Sequence, residues 1–256
     1  MKLPVMRDEA RPSREAMWRQ FADLLVDHEL AIGEEIESPV GRLIAGGDGM
    51  TRRLPGLAVL PGEASAESIS EVLDTSRERD TLRPRIIHPL RAARTPDDYN
   101  AVASRLLRLE AAPASQQSVP IGVMVLPIRA ARVAYELWCV ERFIADPAAA
   151  VLPRHLDDAK YEAVIALRGR AAIGVAAMQS RGQTGLVCDV FVRPDERSNE
   201  LPDVLAGRMI ELAARSQLSD VYAVAATPEA IELFLRTGFV EVMTFTTLVP
   251  TPGTAD

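Results

Sequence analysis

Apolar positions at helical spacing first appear behind Ser13, a residue able to cap a helix: Trp18, Phe21, Leu24, Leu25 and His28 follow it. Residues 56–60 read as a strand closed by Pro61 and Gly62. The spacing of Ile69, Val72 and Leu73 predicts a helix over residues 65–79, and residues 85–88 read as a short strand. Thr95 and Pro96, cap and first-turn residue types, predict a further helix. Residues 111–120, small, polar and proline-bounded, read as a linker. Beyond it, apolar runs at 121–126 and 133–140 predict strands, with helix from there to Asp157.

The remainder has the pattern of a meander. Residues 163–167 and 171–178 flank the turn Arg168-Gly169-Arg170, and residues 184–192 follow the turn Arg181-Gly182-Gln183. Leu205, Met209 and Leu212 share one face of a helix expected over 202–217. A strand at 221–225, a helix opened by Thr227 and Pro228 and ended by Gly238, and a long strand over 239–249 complete the chain. Earlier, Gly46, Gly47, Asp48 and Gly49 lack the Lys and Ser/Thr of a phosphate loop and read as a hairpin or surface turn.

Strand, proline, helix, short strand and Thr-Pro occur in that order twice. Pro61 and Pro194 stand 133 residues apart (194 minus 61), and Thr95 and Thr227 stand 132 apart (227 minus 95). Near-equal offsets across two features point to a degenerate duplication, with one copy over 13–110 and the other over 121–250.

Composition narrows the function classes. Of 256 residues, 48% are hydrophobic and 25% charged, a globular balance rather than a disordered one. The net charge of −7 lacks the basic surplus of a nucleic-acid binder, so no nucleic-acid partner is expected. Cys139 and Cys188 read as buried free thiols, and the three histidines are scattered, so no metal site is expected. No apolar run approaches the roughly 20 residues of a membrane span, and no basic segment followed by an apolar core opens the sequence. The expectation is a cytoplasmic protein with no membrane partner.

The segments Val190-Phe191-Val192-Arg193-Pro194 and Ala230–Phe239 (AIELFLRTGF), with the long helix and strand between them, resemble the GNAT N-acetyltransferase superfamily. The resemblance covers about the last 120 residues, and the first half resembles a worn second copy. It implies an α/β (α+β) fold: a mixed, mostly antiparallel sheet flanked by helices, in two GNAT-like halves. It also implies acyl transfer from acetyl-CoA or another acyl-CoA to an amine, borne by a small molecule or a peptide.

The family's cofactor strand leaves main-chain groups free for the pantetheine arm, and Val190, Phe191 and Val192 occupy that stretch. Its phosphate loop corresponds to Arg197, Ser198 and Asn199, followed by Glu200 and Pro202 where the family carries small residues. Proline removes one amide donor, and glutamate adds bulk and like charge. Asp195, Glu196 and Asp203 lie nearby in sequence, giving four acids against Arg193 and Arg197. The general-acid tyrosine of the family's last helix corresponds to Phe234, and the cofactor-strand base to Leu186; neither can move a proton. Cys188 and Tyr222 are the remaining catalytic candidates, while strand parity turns Asp189 away unless a bulge re-aims it. The alternative is a degenerate, non-catalytic GNAT-like domain that binds a small molecule or a protein partner.

Overall fold

Three helices begin on a side-chain cap. Ser13 accepts from the Ala16 amide at 3.1 Å to start α1 (Arg14–Leu30), and Ser65 accepts from Ser68 at 3.0 Å to start α2 (Ala66–Glu78). Thr227 accepts from Ala230 at 3.3 Å to start α5 (Pro228–Arg236), whose first turn carries Pro228. The remaining helices are α3 (Arg132–Ala145) and α4 (Leu201–Arg215). A computed structural model describes residues 12–46, 56–62, 65–79, 83–89, 95–111, 118–145, 153–197 and 200–251. Gly47, Asp48, Gly49 and most of the expected linker therefore lie outside the described residues.

Eleven strands form one sheet. They are β1 (Gly33–Ile36), β2 (Arg42–Gly46), β3 (Leu57–Val59), β4 (Arg85–His88), β5 (Tyr99–Leu109), β6 (Val123–Pro127), β7 (Tyr161–Arg168), β8 (Ala171–Arg181), β9 (Thr184–Val192), β10 (Asp220–Ala225) and β11 (Phe239–Pro250). Their order is β1-β2-β3-β4-β11-β5-β10-β9-β8-β7-β6, antiparallel except for β3–β4 and β9–β10. Long strands β5 and β11 pair at the centre, with β4 beside β11 and β10 beside β5. Each half of the chain thus lends its last strand to the other.

Consecutive residues of β5 divide the core. Leu106 joins Trp18, Phe21 and Leu24 of α1, while Leu107 joins Leu205 and Met209 of α4 and Phe234 of α5. Ile69 and Val72 of α2 pack on β2–β4 from the α4 side, and Tyr135, Trp138 and Cys139 of α3 pack on β7 and β8 from the α1 side. Each fully buried Leu, Ile or Phe contributes about 1.5–3 kcal/mol, so this two-layer burial is what holds the sheet.

Two expected elements differ. Residues 132–145 form a helix where a strand was expected over 133–140, because Tyr135, Trp138 and Cys139 recur at i, i+3 and i+4 and make one buried stripe. Thr95 and Pro96 start no helix: a turn leads straight into β5. The run Ala101–Leu109 is rich in helix formers, but pairing on both sides with β10 and β11 decides its state. Strands β1 and β2 carry no clear alternation and escape sequence reading.

Candidate functional site

The two parallel strand pairs behave differently. In the second half, β9 and β10 pair from Thr184↔Asp220 to Val187↔Ala223, and there the ladder ends. Strand β10 continues against β5 to Ala225, while β9 continues against β8 to Val192. The strands part over Cys188–Val192. In the first half, β3 and β4 stay paired along Leu57↔Arg85, Ala58↔Ile86 and Val59↔Ile87, and the Leu60 amide donates to Ile87. Among the described residues, only the second half presents an open edge of this kind.

Ladder alternation fixes what that edge offers. The Arg193 amide donates to the Ile173 carbonyl at 2.9 Å, so groups of the same parity, those of Phe191, turn toward β8. The amides and carbonyls of Val190 and Val192 therefore turn into the gap. Arg197 already engages one of them: its Nε donates to the Val192 carbonyl at 3.1 Å, and its guanidinium lies 5.5 Å from the centre of the Phe191 ring.

At the end of this edge stands the N-terminus of α4. Glu200 is its N-cap residue without a side-chain cap bond, and Pro202 sits in the first turn. The Val204 amide donates to Glu200, which leaves Leu201 and Asp203 as the first-turn amides that could meet an anion. Ser198 and Asn199 lie outside the described residues. The acidic excess expected here is corrected by two arginines distant in sequence. Arg168 holds Glu196 in a two-pronged pair at 2.9 and 2.7 Å, and Arg236 of α5 holds Asp203 at 3.2 Å through both oxygens. Asp195 pairs with Arg193 at 3.3 Å. Four acids meet four arginines, and the local charge balances.

On the α1/α3 side, the β8–β9 register shifts between Ala177↔Asp189 and Met178↔Val187, which makes Cys188 the extra residue of a bulge. The bulge overrides strand parity. Asp189 now lies close enough to Tyr135, Tyr161 and Cys188 for its charge to raise all three, behind the larger effect of their own burial. The Cys188 thiol is thus held well above its ordinary range, the opposite of an activated nucleophile. Tyr222 is buried beside Leu186 among the α1 residues and donates to Gln20 Oε1, and burial raises its phenol as well. Phe234 packs on the other side, edge-on to Phe239 with ring centres 5.2 Å apart, in the apolar cluster that contains Val192.

The structure therefore brings Val190, Phe191, Val192, Arg197 and Asp189 together and keeps Tyr222 apart beneath α1. Among the described residues, no group of histidine, cysteine or carboxylate side chains has the arrangement of a metal site. No described helix is long and apolar enough to cross a membrane.

No family model matches the sequence, and no curated protein matches it. Solved structures do. A GCN5-related N-acetyltransferase from Kribbella flavida is 16% identical, over 94% of this chain and 97% of that one, with a TM-score of 0.58. A GCN5-related N-acetyltransferase-like protein from Streptococcus suis is 13% identical, over 90% and 97%, with a TM-score of 0.57. Both likenesses run through the two halves, and the chain has the GNAT fold.

Proposed function

We propose that this chain is an acyl-CoA-dependent N-acyltransferase with a single cofactor cleft, between β9 and β10. The observation that carries this reading is the parting of those strands, which turns the main-chain groups of Val190 and Val192 toward an open edge. The N-terminus of α4 at the end of that edge supports it, as does the balanced charge around the loop. Acyl-CoA would supply an activated thioester. Val190 and Val192 would hold its pantetheine arm through main-chain bonds. Arg197, Ser198 and Asn199 would lie beside its diphosphate.

Asp189 would receive the acceptor amine. It lies on the α1/α3 side, across the strand from Val190, and a carboxylate there can hold an ammonium group and take its proton. The acceptor is accordingly an amine, of a small molecule or a peptide. Residues 13–110 and 121–250 are read as the two copies of a duplicated unit that exchange their last strands; superposition of β3–α2–β4 on β9–α4–β10 tests that division.

The assay is release of free CoA thiol from acetyl-CoA and longer acyl-CoAs in the presence of a panel of primary amines. Turnover with any of them supports the reading. The alternative, a non-catalytic GNAT-like binding domain, draws on Phe234, Leu186 and Pro202, which offer neither an acid, a base nor an amide donor. Saturable acyl-CoA binding without thiol release across the panel would favour it.

A further inference from the structure

Past the end of β10, the central strand β5 keeps one edge uncovered. It pairs with β11 from Tyr99 to Leu109, but with β10 only from Arg105 to Arg108. Ladder phase fixes which main-chain groups that leaves over. The Thr251 amide donates to the Asp98 carbonyl at 2.9 Å, so Asn100, Val102 and Ser104, of the same parity as Asp98, turn toward β11. The amides and carbonyls of Ala101 and Ala103 turn outward, and among the described residues they have no main-chain partner. The outer edges of the sheet are guarded: β1 exposes Glu34 and Glu35, and β6 ends in Pro127. Residues 100–103 carry neither charge nor proline, and all four are exposed.

We propose that this edge takes the acceptor, and that the acceptor is the N-terminal amine of an extended peptide, added to β5 as an antiparallel strand. The space decides the occupant. The edge lies inside the sheet, on the line where β10 stops at Ala225, and β9 runs on to Val192 on the far side of that line. Two ladder spacings, roughly 10 Å, separate β5 from the line of β9, so one extended chain can enter and the sheet of a folded partner cannot. The parting of β9 widens the slot, which leaves the cofactor arm the β9 side and the peptide the β5 side. Direction follows from the chemistry. Val187 pairs with Ala223, so Asp189, past the bulge, stands near the level of the end of β10. A peptide with its amine at that inner end runs outward past Ala103 and then Ala101, against the direction of β5. Those two residues bond alternate residues of the peptide through main chain alone, whatever its side chains. The neutral amine nitrogen forms the amide bond while the thioester C–S bond breaks, its proton passing to Asp189 and the thiolate leaving.

This inference rests on the acyltransferase reading, and its test separates the two. Penta-alanine amide with a free amino terminus is compared with alanine amide, and hydrogen exchange at Ala101 and Ala103 is followed in the full chain with and without the pentapeptide. Read from thiol release with acetyl-CoA, kcat/KM should be about tenfold or more higher for the pentapeptide, chiefly through KM. Ala101→Pro removes one outward amide and spares the ladder to β11, so it should erase most of that gain. N-methylation of alternate peptide amides should abolish the gain in one phase and keep it in the other, because only one phase faces β5. The pentapeptide should also slow exchange of both amides about tenfold or more at saturation, with or without acetyl-CoA. Equal losses in both phases, no gain with peptide length, or unslowed exchange would each overturn the proposal. Amides already protected in the free chain, and more so at higher protein concentration, would assign the edge to a second copy and overturn it likewise. Protection by the pentapeptide without thiol release from any amine would keep the strand site and sink the acyltransferase reading instead.

Discussion

At Cys188 the ladder between β8 and β9 gains a residue, and Cys188 and Asp189 both come to serve the α3 side. A bulge leaves no mark in an alternating sequence, so the position of Asp189 could not be read from the run Leu186–Val192. The consequences divide cleanly. Asp189→Asn keeps the shape and removes the base, so thiol release should fall about 100-fold while the melting temperature stays within a few degrees. Cys188→Ala should leave turnover within about twofold, because a thiol whose pKa burial has raised supplies little thiolate. A larger loss in that variant would point to covalent catalysis. Tyr222→Phe removes the bond to Gln20 and should cost about 1 kcal/mol of stability while sparing turnover. Equal loss of turnover in Asp189→Asn and Tyr222→Phe would show that the acid–base assignment is wrong.

Among the elements, α2, β4, α4, β10, α5 and β11 were legible because caps, prolines and apolar spacing agree with their final packing. The strand β5 was not, since its local composition favours a helix and only its neighbours make it a strand. Gly238 shows how α5 hands over to β11. It sits at a φ of 95°, a Cβ there would stand 1.8 Å from the Ala111 carbonyl oxygen, and its own carbonyl accepts from the Glu110 and Ala111 amides. Gly238→Ala should therefore destabilise the protein by about 2 kcal/mol or more, measurable by denaturant titration. The joint between α1 and the 3-10 turn Pro153–Asp157 predicts a pH effect. His28 stacks on His155 with ring centres 4.2 Å apart, and burial, then His155, then Arg85 hold its pKa well below the ordinary value. The unfolded chain takes up a proton near pH 6.5 that the folded His28 refuses. Stability is thus full above that pH and falls as the solution is acidified toward the folded value. Between pH 7 and 5 the wild type should lose at least about 3 °C more in melting temperature than His28→Phe. Parallel curves would show that the joint is indifferent to protons.

For the whole molecule, the exchange of β5 and β11 makes one continuous sheet out of the two halves of the chain, yet the halves are unequal where it matters. The ladder of β3 with β4 is closed, whereas β9 and β10 part after Val187. The repeated proline positions point to a duplication from the sequence alone, and Thr95 and Pro96, one of the two repeated features, start no helix. The sequence could not show which half opens, because parting is a matter of main-chain pairing and needs no special side chain. Nor could it show that Arg168 and Arg236 neutralise the loop, since they lie 28 and 33 residues from their partners. One measurement tests the central claim directly: calorimetric titration of the full chain with acetyl-CoA, beside Val190→Pro. Proline at that position removes an amide that faces the gap and spares the ladder to β8. The wild type should bind one equivalent per chain, and the variant, still folded by circular dichroism, should bind at least about tenfold more weakly. Two equivalents per chain, or an affinity unchanged by the proline, would contradict a single cofactor cleft at β9.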